Sequence, residues 1–187
     1  VCDMLTDPQK YAVLGVRLPR GVLLHGEPGV GKTLMATDLI NAMGRKIFTI
    51  RRDKSNDKFV DHIGEVFAEA KNSAPSVVFL DDMDKFAHSK YGSPEEFTAV
   101  QAGIDAVNNS DVFVIATAND IDDIPQSLLR SGRFDRIIEV CAPRRKDAVE
   151  IVRHYLSGKK VANDVTAELV ARLMDGHSCA DLESVLN

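Results

Sequence analysis

Five short apolar segments alternate with helical patterns along most of the chain. Most of the segments are near-continuous runs of Val, Ile and Phe, which is typical of strands buried on both faces of a parallel sheet. The segments are Gly21–His25, Lys46–Arg51, Ser76–Asp81, Asp111–Ala116 and Arg136–Cys141. Helical patterns lie between them at Lys32–Met43, Lys58–Asn72 and Glu95–Val107. This alternation predicts an α/β fold, with a three-layer αβα core around a five-stranded parallel sheet.

After Pro143 the strand signal stops and only helical patterns follow. They are Arg144–Leu156, Thr166–Met174 and Cys179–Leu186, and the last runs almost to the final residue. We therefore expect an α/β core over residues 1–142 and a small helical lid subdomain over residues 143–187, truncated at its C-terminus. Because Val1 is not an initiator Met, we expect the chain to be cut from something longer.

The composition of the chain limits the binding partners and the cellular compartment that we expect for it. The 187 residues are 44% hydrophobic and 27% charged, which is ordinary for a globular domain. The formal net charge of −5 argues against a general polyanion binder, so no nucleic acid is expected. No run approaches the roughly 20 apolar residues that span a bilayer, so no membrane contact is expected from this fragment. Cys2, Cys141 and Cys179 form neither a CxxC pair nor a zinc spacing, which favours a reducing, cytoplasmic compartment.

The most specific motif is a glycine-rich loop between a predicted strand and a predicted helix. Gly26-Glu27-Pro28-Gly29-Val30-Gly31-Lys32-Thr33 fits the pattern G-x-x-x-x-G-K-[ST] in full. Glycines let successive backbone N–H groups turn toward phosphate oxygens, and the helix adds its positive N-terminal end. Lys32 is expected to reach the β- and γ-phosphates, and the Thr33 hydroxyl to ligate Mg²⁺. An ordinary glycine-rich turn is the alternative.

Two carboxylates follow the third predicted strand. Asp81 ends the apolar run that begins at Val77, and Asp82 comes next. An apolar strand that ends in a carboxylate is the Walker B pattern, in which Asp81 would hold Mg²⁺ and Asp82 would polarise an attacking water. The pattern alone is common, but it gains weight about 50 residues after a phosphate-binding loop.

Polar residues also follow the fourth and precede the fifth predicted strand. Asn119 lies where open α/β sheets bind ligands and could position the attacking water, or it could simply start a turn into Asp120. In Ser131–Arg136, Arg133 and Arg136 could act as arginine fingers on a neighbouring subunit's γ-phosphate. The alternative for these arginines is pairing within the chain, with Asp135 or Asp123.

Together these elements resemble the AAA ATPase family, and the resemblance extends from Pro19 to Leu186. Ser131–Arg136 looks like that family's second region of homology, and Ser178-Cys179-Ala180-Asp181-Leu182 is similar to its Ser-Gly-Ala-Asp-Leu motif. The spacing of Gly15–Pro19 before the glycine-rich loop is most similar to the membrane-anchored AAA metalloproteases and their relatives.

The resemblance implies ATP or ADP with Mg²⁺, a homo-oligomer that forms a hexameric ring, and protein substrates. It places His154 against the ribose or base and Cys179 and Ala180 against the adenine, while Leu34 continues the phosphate-binding segment. The residues it implies for nucleotide binding are Glu27, Pro28, Gly29, Val30, Gly31, Lys32, Thr33, Leu34, His154, Cys179 and Ala180. Asp82, Asn119, Arg133 and Arg136 would be catalytic, and Thr33 and Asp81 would hold the metal.

The chain departs from the family pattern in three places. Asp82 stands where Glu is usual, and its shorter side chain predicts slower hydrolysis with intact binding. Only Phe59-Val60 partly matches the aromatic–hydrophobic–Gly pore triplet, within the polar stretch Arg51–Asp61, and Phe59 is expected to be a helix core residue rather than a substrate grip. The zinc-protease motif HExxH is absent from the printed sequence.

Three functional classes fit these observations to different degrees. The leading hypothesis is an ATPase that couples hydrolysis to motion between core and lid and so remodels a protein target. The second is an ATP-binding switch or scaffold with weak or no hydrolysis, which Asp82 favours. The third is a P-loop kinase, for which the sequence offers no acceptor pocket.

Overall fold

The computed structural model of the protein describes residues 19–52, 58–87, 93–162 and 164–187. Its strands are β1 Gly21–His25, β2 Lys46–Arg51, β3 Ser76–Asp81, β4 Val112–Ala118 and β5 Arg136–Glu139. Its α-helices are α1 Lys32–Met43, α2 Phe59–Asn72, α3 Pro94–Ala106, α4 Arg145–Leu156, α5 Ala167–Leu173 and α6 Cys179–Leu186. A short 3₁₀-helix spans Met83–Lys85. Cys2, most of Gly15–Pro19 and the middle of Arg51–Asp61 lie outside the described residues.

The five strands form one sheet in the order β2-β3-β4-β1-β5, and every pair is parallel. Parallel neighbours need crossover connections, which α1, α2 and α3 supply along the chain. Because all strands run the same way, their carboxyl ends meet at one edge of the sheet. The predicted α/β fold with its five-stranded parallel sheet is therefore confirmed.

The three central strands are buried on both faces, as their apolar runs predict. Val78 and Leu80 of β3 point to the same face, since side chains two residues apart in a strand share a face, and they join the main core cluster with residues of α2 and α3. Val77 and Phe79 point the other way and are also buried. Side chains covered on both faces are what a three-layer α/β core requires.

The two edge strands differ from that expectation. All four residues of β5 are exposed, and β2 buries only Ile50. An edge strand has one pairing neighbour and is less covered, so an apolar sequence alone overestimated the burial of Ile137 and Ile138. β5 also ends two residues before the predicted Cys141, while β4 continues two residues beyond the predicted Ala116.

α2 packs its apolar stripe into the main core. Phe59, Ile63, Phe67 and Ala70 are buried, and the Phe59 ring meets the Phe86 ring edge-to-face at 5.5 Å between centroids. Phe59 is thus a core residue, as predicted. The polar composition of Lys85–Pro94 predicts an exposed loop, and this prediction is wrong in part. Lys85 closes a 3₁₀-helix, Phe86 and Ala87 are fully buried, and Pro94 begins α3, while residues 88–92 lie outside the described part of the chain.

The chain divides into two compact units. One contains the described residues up to His25 together with Thr33–Glu139, and the other contains Gly26–Lys32 and Val140–Asn187. The second unit has its own small core of Ala148, Val152, Ala171 and Leu182 on helices α4, α5 and α6. The glycine-rich segment therefore groups with the helical unit, which the sequence did not predict. That residues 1–142 and 143–187 act as an ATPase core and a lid stays a prediction.

Candidate nucleotide-binding site

The glycine-rich loop joins β1 to α1, and its lysine is held by the loop itself. Lys32 is the first residue of α1 and only 6% exposed. Its Nζ donates to the carbonyl oxygens of Gly26, at 2.7 Å, and Glu27, at 2.8 Å. An ammonium fixed inside a glycine-rich loop at a helix N-terminus is the arrangement that binds phosphate groups.

Two of the loop's glycines are required by close contacts within the helical unit. Gly26 has φ +147°, and a Cβ there would lie 2.1 Å from the carbonyl oxygen of Val140. Gly29 has φ +82°, and a Cβ there would lie 2.9 Å from Ser178 Oγ. In addition, the Ala180 N–H donates to the Gly29 carbonyl oxygen at 3.0 Å. These contacts explain why the loop groups with α6, and they bring the predicted Ala180 to the loop.

The other residues predicted to bind nucleotide lie in different environments. Glu27 and Pro28 are exposed at the loop tip, whereas Val30 is buried and Gly31 half-buried. Leu34 is 67% exposed on the first turn of α1. His154 is exposed on α4 beside the Tyr155 ring. Cys179 is half-buried at the start of α6, where burial raises the pKa of its thiol.

Asp81 is the centre of a polar row at the carboxyl ends of three strands. The residue as a whole is 4% exposed. Oδ1 accepts from the Thr33 hydroxyl at 3.0 Å and from the Thr117 hydroxyl at 2.9 Å, and Oδ2 contacts the Arg51 guanidinium at 3.3 Å. The structure thus joins Thr33 and Asp81, the two predicted metal ligands, although they are 48 positions apart in the sequence.

Asp82 adopts a left-handed conformation directly after β3. Its φ of 52° and ψ of 53° are rare for a residue with a side chain. The Asp82 N–H donates to Thr117 Oγ1 at 2.8 Å, and its carboxylate accepts from Lys85 Nζ at 2.6 Å. The hydrogen bond that Lys85 donates to Asp82 is the main cause of the raised pKa of Lys85. The side chain predicted to polarise a water is therefore held by a cation three residues away.

Asn119 lies just beyond β4 and is engaged by a third aspartate. Its Nδ2 donates to Asp84 Oδ2 at 2.9 Å. The other oxygen, Asp84 Oδ1, is buried and has no hydrogen-bond partner within the part of the chain that the structure describes. Asn119 thus contacts the acidic segment that follows β3. Its role in positioning a water stays a prediction.

The two predicted arginine fingers differ from each other. Arg133 makes a two-pronged ion pair with Asp105 of α3, through Nε to Oδ1 at 2.9 Å and Nη2 to Oδ2 at 2.7 Å. Arg136 is exposed on β5. Pairing within the chain was the alternative for Arg133, but its partner is Asp105. Asp135 instead accepts from the backbone N–H groups of Arg20 and Gly132. The finger role of both arginines stays a prediction.

The donor set fits a nucleotide with a hard divalent cation. A buried carboxylate and a hydroxyl 3.0 Å apart are oxygen groups of the kind that Mg²⁺ prefers. That Lys32 contacts the phosphates stays a prediction. Among the described residues, no three or more His, Cys, Asp or Glu side chains cluster so as to hold a metal on their own.

Three side chains of this site were not identified from the sequence as interacting residues. Arg51 and Thr117 touch Asp81, and Lys85 touches Asp82. For the first two the signal is cross-strand register: Arg51 pairs with Asp81, and Leu80 pairs with Ala116, which places Thr117 beside Asp81. Register depends on the assembled sheet, so local patterns could not reveal these neighbours.

A glycine-rich loop after a strand, followed by a hydroxyl that bonds a carboxylate at the carboxyl end of β3, defines the class of P-loop nucleoside triphosphatases. The family model described as "ATPase family associated with various cellular activities (AAA)" matches residues 22–142, which is more than half of the chain. The chain belongs to this AAA family and is a P-loop ATPase, as the sequence predicts.

Within the AAA family, the chain is similar to curated proteins named as ATP-dependent zinc metalloproteases. The chain is 35% identical over 200 aligned residues to the ATP-dependent zinc metalloprotease FtsH of Chloroflexus aggregans, covering 100% of the chain and 30% of that protein. It is 36% identical over 196 residues to the FtsH of Mesoplasma florum, covering 99% of the chain and 30% of that protein. The chain thus spans about three tenths of the length of these relatives. The predicted relation to AAA metalloproteases is confirmed.

None of the helices within the described residues is both long enough and apolar enough to cross a membrane.

Proposed function

We propose that this chain binds and hydrolyses Mg-ATP and couples the nucleotide state to movement between an α/β core, residues 1–142, and a helical lid, residues 143–187. The observation that carries the proposal is the Thr33–Asp81 pair directly after a glycine-rich loop that holds Lys32. Both groups come from segments whose sequence predicts their roles independently. The family supports nucleotide binding with a divalent metal, and the choice of ATP and Mg²⁺ belongs to this proposal.

Each side chain has a proposed task. Lys32 contacts the β- and γ-phosphates, and Thr33 and Asp81 hold the metal, which neutralises phosphate charge when bound. Asp82 orients and polarises the attacking water, and Asn119 helps to position it. Arg133 and Arg136 complete the site of a neighbouring subunit. For Arg133 this task requires that its ion pair with Asp105 open on assembly.

The proposed partners follow from the relatives. Because those relatives are named ATP-dependent zinc metalloproteases and are about three times as long as this chain, we expect the module to remodel or unfold protein substrates within a larger protein. A homo-oligomeric, hexameric ring would bring each arginine to a neighbouring site. A cytoplasmic or cytoplasmic-facing location and the absence of nucleic-acid partners complete the proposal.

One feature favours the second candidate function, an ATP-binding switch with weak hydrolysis. Asp82 is one methylene shorter than the usual Glu, and its carboxylate is bound to Lys85 at 2.6 Å. A carboxylate that is short and restrained is a poor partner for a water at the γ-phosphate. Binding would then be intact while turnover is slow.

Steady-state ATP hydrolysis at matched oligomeric state separates these candidates. The ATPase proposal expects turnover above background that Lys32→Ala and Asp81→Asn abolish, whereas Lys46→Gln, which removes a charge at the far end of β2, leaves it unchanged. In the assembled protein Arg133→Ala should also abolish it. ATP binding without turnover in the assembled wild type would favour the switch, and folded protein that binds no ATP would exclude both.

A further inference from the structure

Arg51 is placed against Asp81 by the backbone of the sheet. The two residues are register partners at the last position of the β2–β3 pairing, so both side chains stand on the same face of the sheet. Their closest atoms, Arg51 Nη1 and Asp81 Oδ2, are 3.3 Å apart. The contact therefore follows from strand pairing and does not depend on a loop conformation.

The carboxylate of Asp81 has little access to water, so its charge needs a partner. Its side chain is 5% exposed, while that of Arg51 is 52% exposed. The hydroxyls of Thr33 and Thr117 donate hydrogen bonds to one oxygen of this carboxylate, and the Arg51 guanidinium donates to the other. Arg51 thus brings a positive charge to a carboxylate that is almost fully buried.

Resting on the function proposed above, we infer that Arg51 is a built-in competitor of the divalent cation at Asp81. A guanidinium and a metal ion both seek the carboxylate oxygens, and two positive charges at one carboxylate repel each other. Metal binding must therefore displace or weaken the Arg51 contact. Arg51 does not contact the reacting atoms in this account; it sets metal affinity through Asp81 and keeps the carboxylate in place when no metal is bound.

The matched pair of variants is Arg51→Gln and Lys46→Gln. Both remove one positive charge from β2, but Lys46 lies at the opposite end of the strand, where it contacts Ser73 and the Phe48 ring. The affinity of each protein for a non-hydrolysable ATP analogue is measured by calorimetry, once in EDTA and once with Mg²⁺. The quantity compared is the ratio of the two affinities.

We expect the Mg²⁺-to-EDTA affinity ratio to rise by about threefold to tenfold in Arg51→Gln, because a competing ion pair at a partly exposed site is removed. Lys46→Gln should keep the wild-type ratio. A second readout is thermal unfolding: Arg51→Gln should melt below wild type without ligands, and with the analogue bound Mg²⁺ should raise its melting temperature more than it raises that of wild type.

A ratio that stays equal or falls in Arg51→Gln overturns this inference while leaving the proposed function intact, because the analogue still binds. Folded proteins that bind no analogue under either condition would overturn the proposed function and this inference together. If Arg51→Gln does not fold, the wild type still decides, through the NMR signal of the Arg51 Nε–H group. That signal should shift as Mg²⁺ is added with the analogue present, and an unshifted signal at metal saturation contradicts the competition.

Discussion

The glycine-rich loop and the strand-end row around Asp81 hold their side chains in opposite ways. Lys32 is held by carbonyl groups five and six positions earlier in the chain. Asp81 is held by residues 30, 36 and 48 positions away, which reach it from β2, β4 and α1. The glycine-rich loop, residues 26–32, is therefore a local region, whose contacts come from nearby in the sequence. The row around Asp81 is an assembled region, whose contacts exist only once the sheet has formed.

This difference separates what a motif specifies from what the fold adds. The motif specifies which groups are expected near the phosphates, because residues that are close together in the sequence of one loop are also close together in space. The strand ends add neighbours that tune those groups: a cation on Asp81, a cation on Asp82, and a hydroxyl between them. We expect the local region to respond mainly to backbone changes, and the assembled region to respond to single side-chain atoms.

The largest change in the free energy of unfolding is expected from a backbone change in the local region. Gly26→Ala should lower the free energy of unfolding by about 2–4 kcal/mol, because φ of +147° and a Cβ 2.1 Å from the Val140 carbonyl oxygen combine strain and a clash. Gly44→Ala is the control, since Gly44 also has positive φ but has nothing within 4 Å of its added Cβ. Urea denaturation followed by circular dichroism measures both. Equal losses would show that the contact with Val140 does not hold the loop.

In the assembled region, Thr117→Val should cost about 2 kcal/mol of unfolding free energy. The change removes one hydroxyl that accepts from the partly buried Asp82 N–H and donates to the buried Asp81 carboxylate, and leaves both groups without that partner. Thr98→Val removes an exposed hydroxyl that bonds only the Pro94 carbonyl on α3, and should change stability by less than about 0.5 kcal/mol. A Thr117 variant as stable as the Thr98 variant would mean that the row does not act as a unit.

Lengthening the second carboxylate should raise turnover. Asp82→Glu is expected to increase ATP hydrolysis by about tenfold or more in the assembled protein, because the longer side chain brings the carboxylate nearer to the water. Lys85→Gln, which frees the native carboxylate, should give a smaller increase of about threefold. Steady-state kinetics at matched oligomeric state measures both variants. Turnover that is unchanged or lower in Asp82→Glu contradicts the assigned role.

The smallest effect concerns acid stability in the helical unit. The hydroxyl and N–H of Ser178 bond Asp181 at the start of α6 and lower the pKa of that carboxyl below its ordinary value of 3.8. A lowered pKa means that the stabilisation is present above pH 3.8 and is lost as the pH falls through the lower folded value. Ser178→Ala should therefore make the hydrogen-exchange protection of α6 depend less on pH in the acid range. Glu183→Gln should leave that pH dependence unchanged.

Much of the fold could be predicted because burial leaves a local signature. β1, β2, β3, α1 and α6 have their predicted bounds, and the central strands are apolar because both faces are covered. The edge strands and Phe86 were less predictable, since their burial depends on which elements lie next to them. The family, the P-loop ATPase class and the sheet are confirmed, while the roles of the individual site residues stay predictions.

The neighbours of the site residues could not be predicted for the same reason. Arg133 pairs with Asp105, which is 28 positions away, and the glycine-rich loop groups with a helix that begins at Cys179. Neither relation leaves a periodic or spacing signal in the sequence. Both appear only when the chain is packed, so a motif predicts the ligand of a site more readily than it predicts the contacts that adjust it.

The most direct test is a crystal structure grown with Mg²⁺ and a non-hydrolysable ATP analogue. We expect the phosphates to lie in the loop between Gly26 and Thr33, with the metal at Thr33 and Asp81 and the Arg51 guanidinium moved off Asp81. An analogue bound elsewhere, or well-folded protein that takes up none at millimolar concentration, would contradict it.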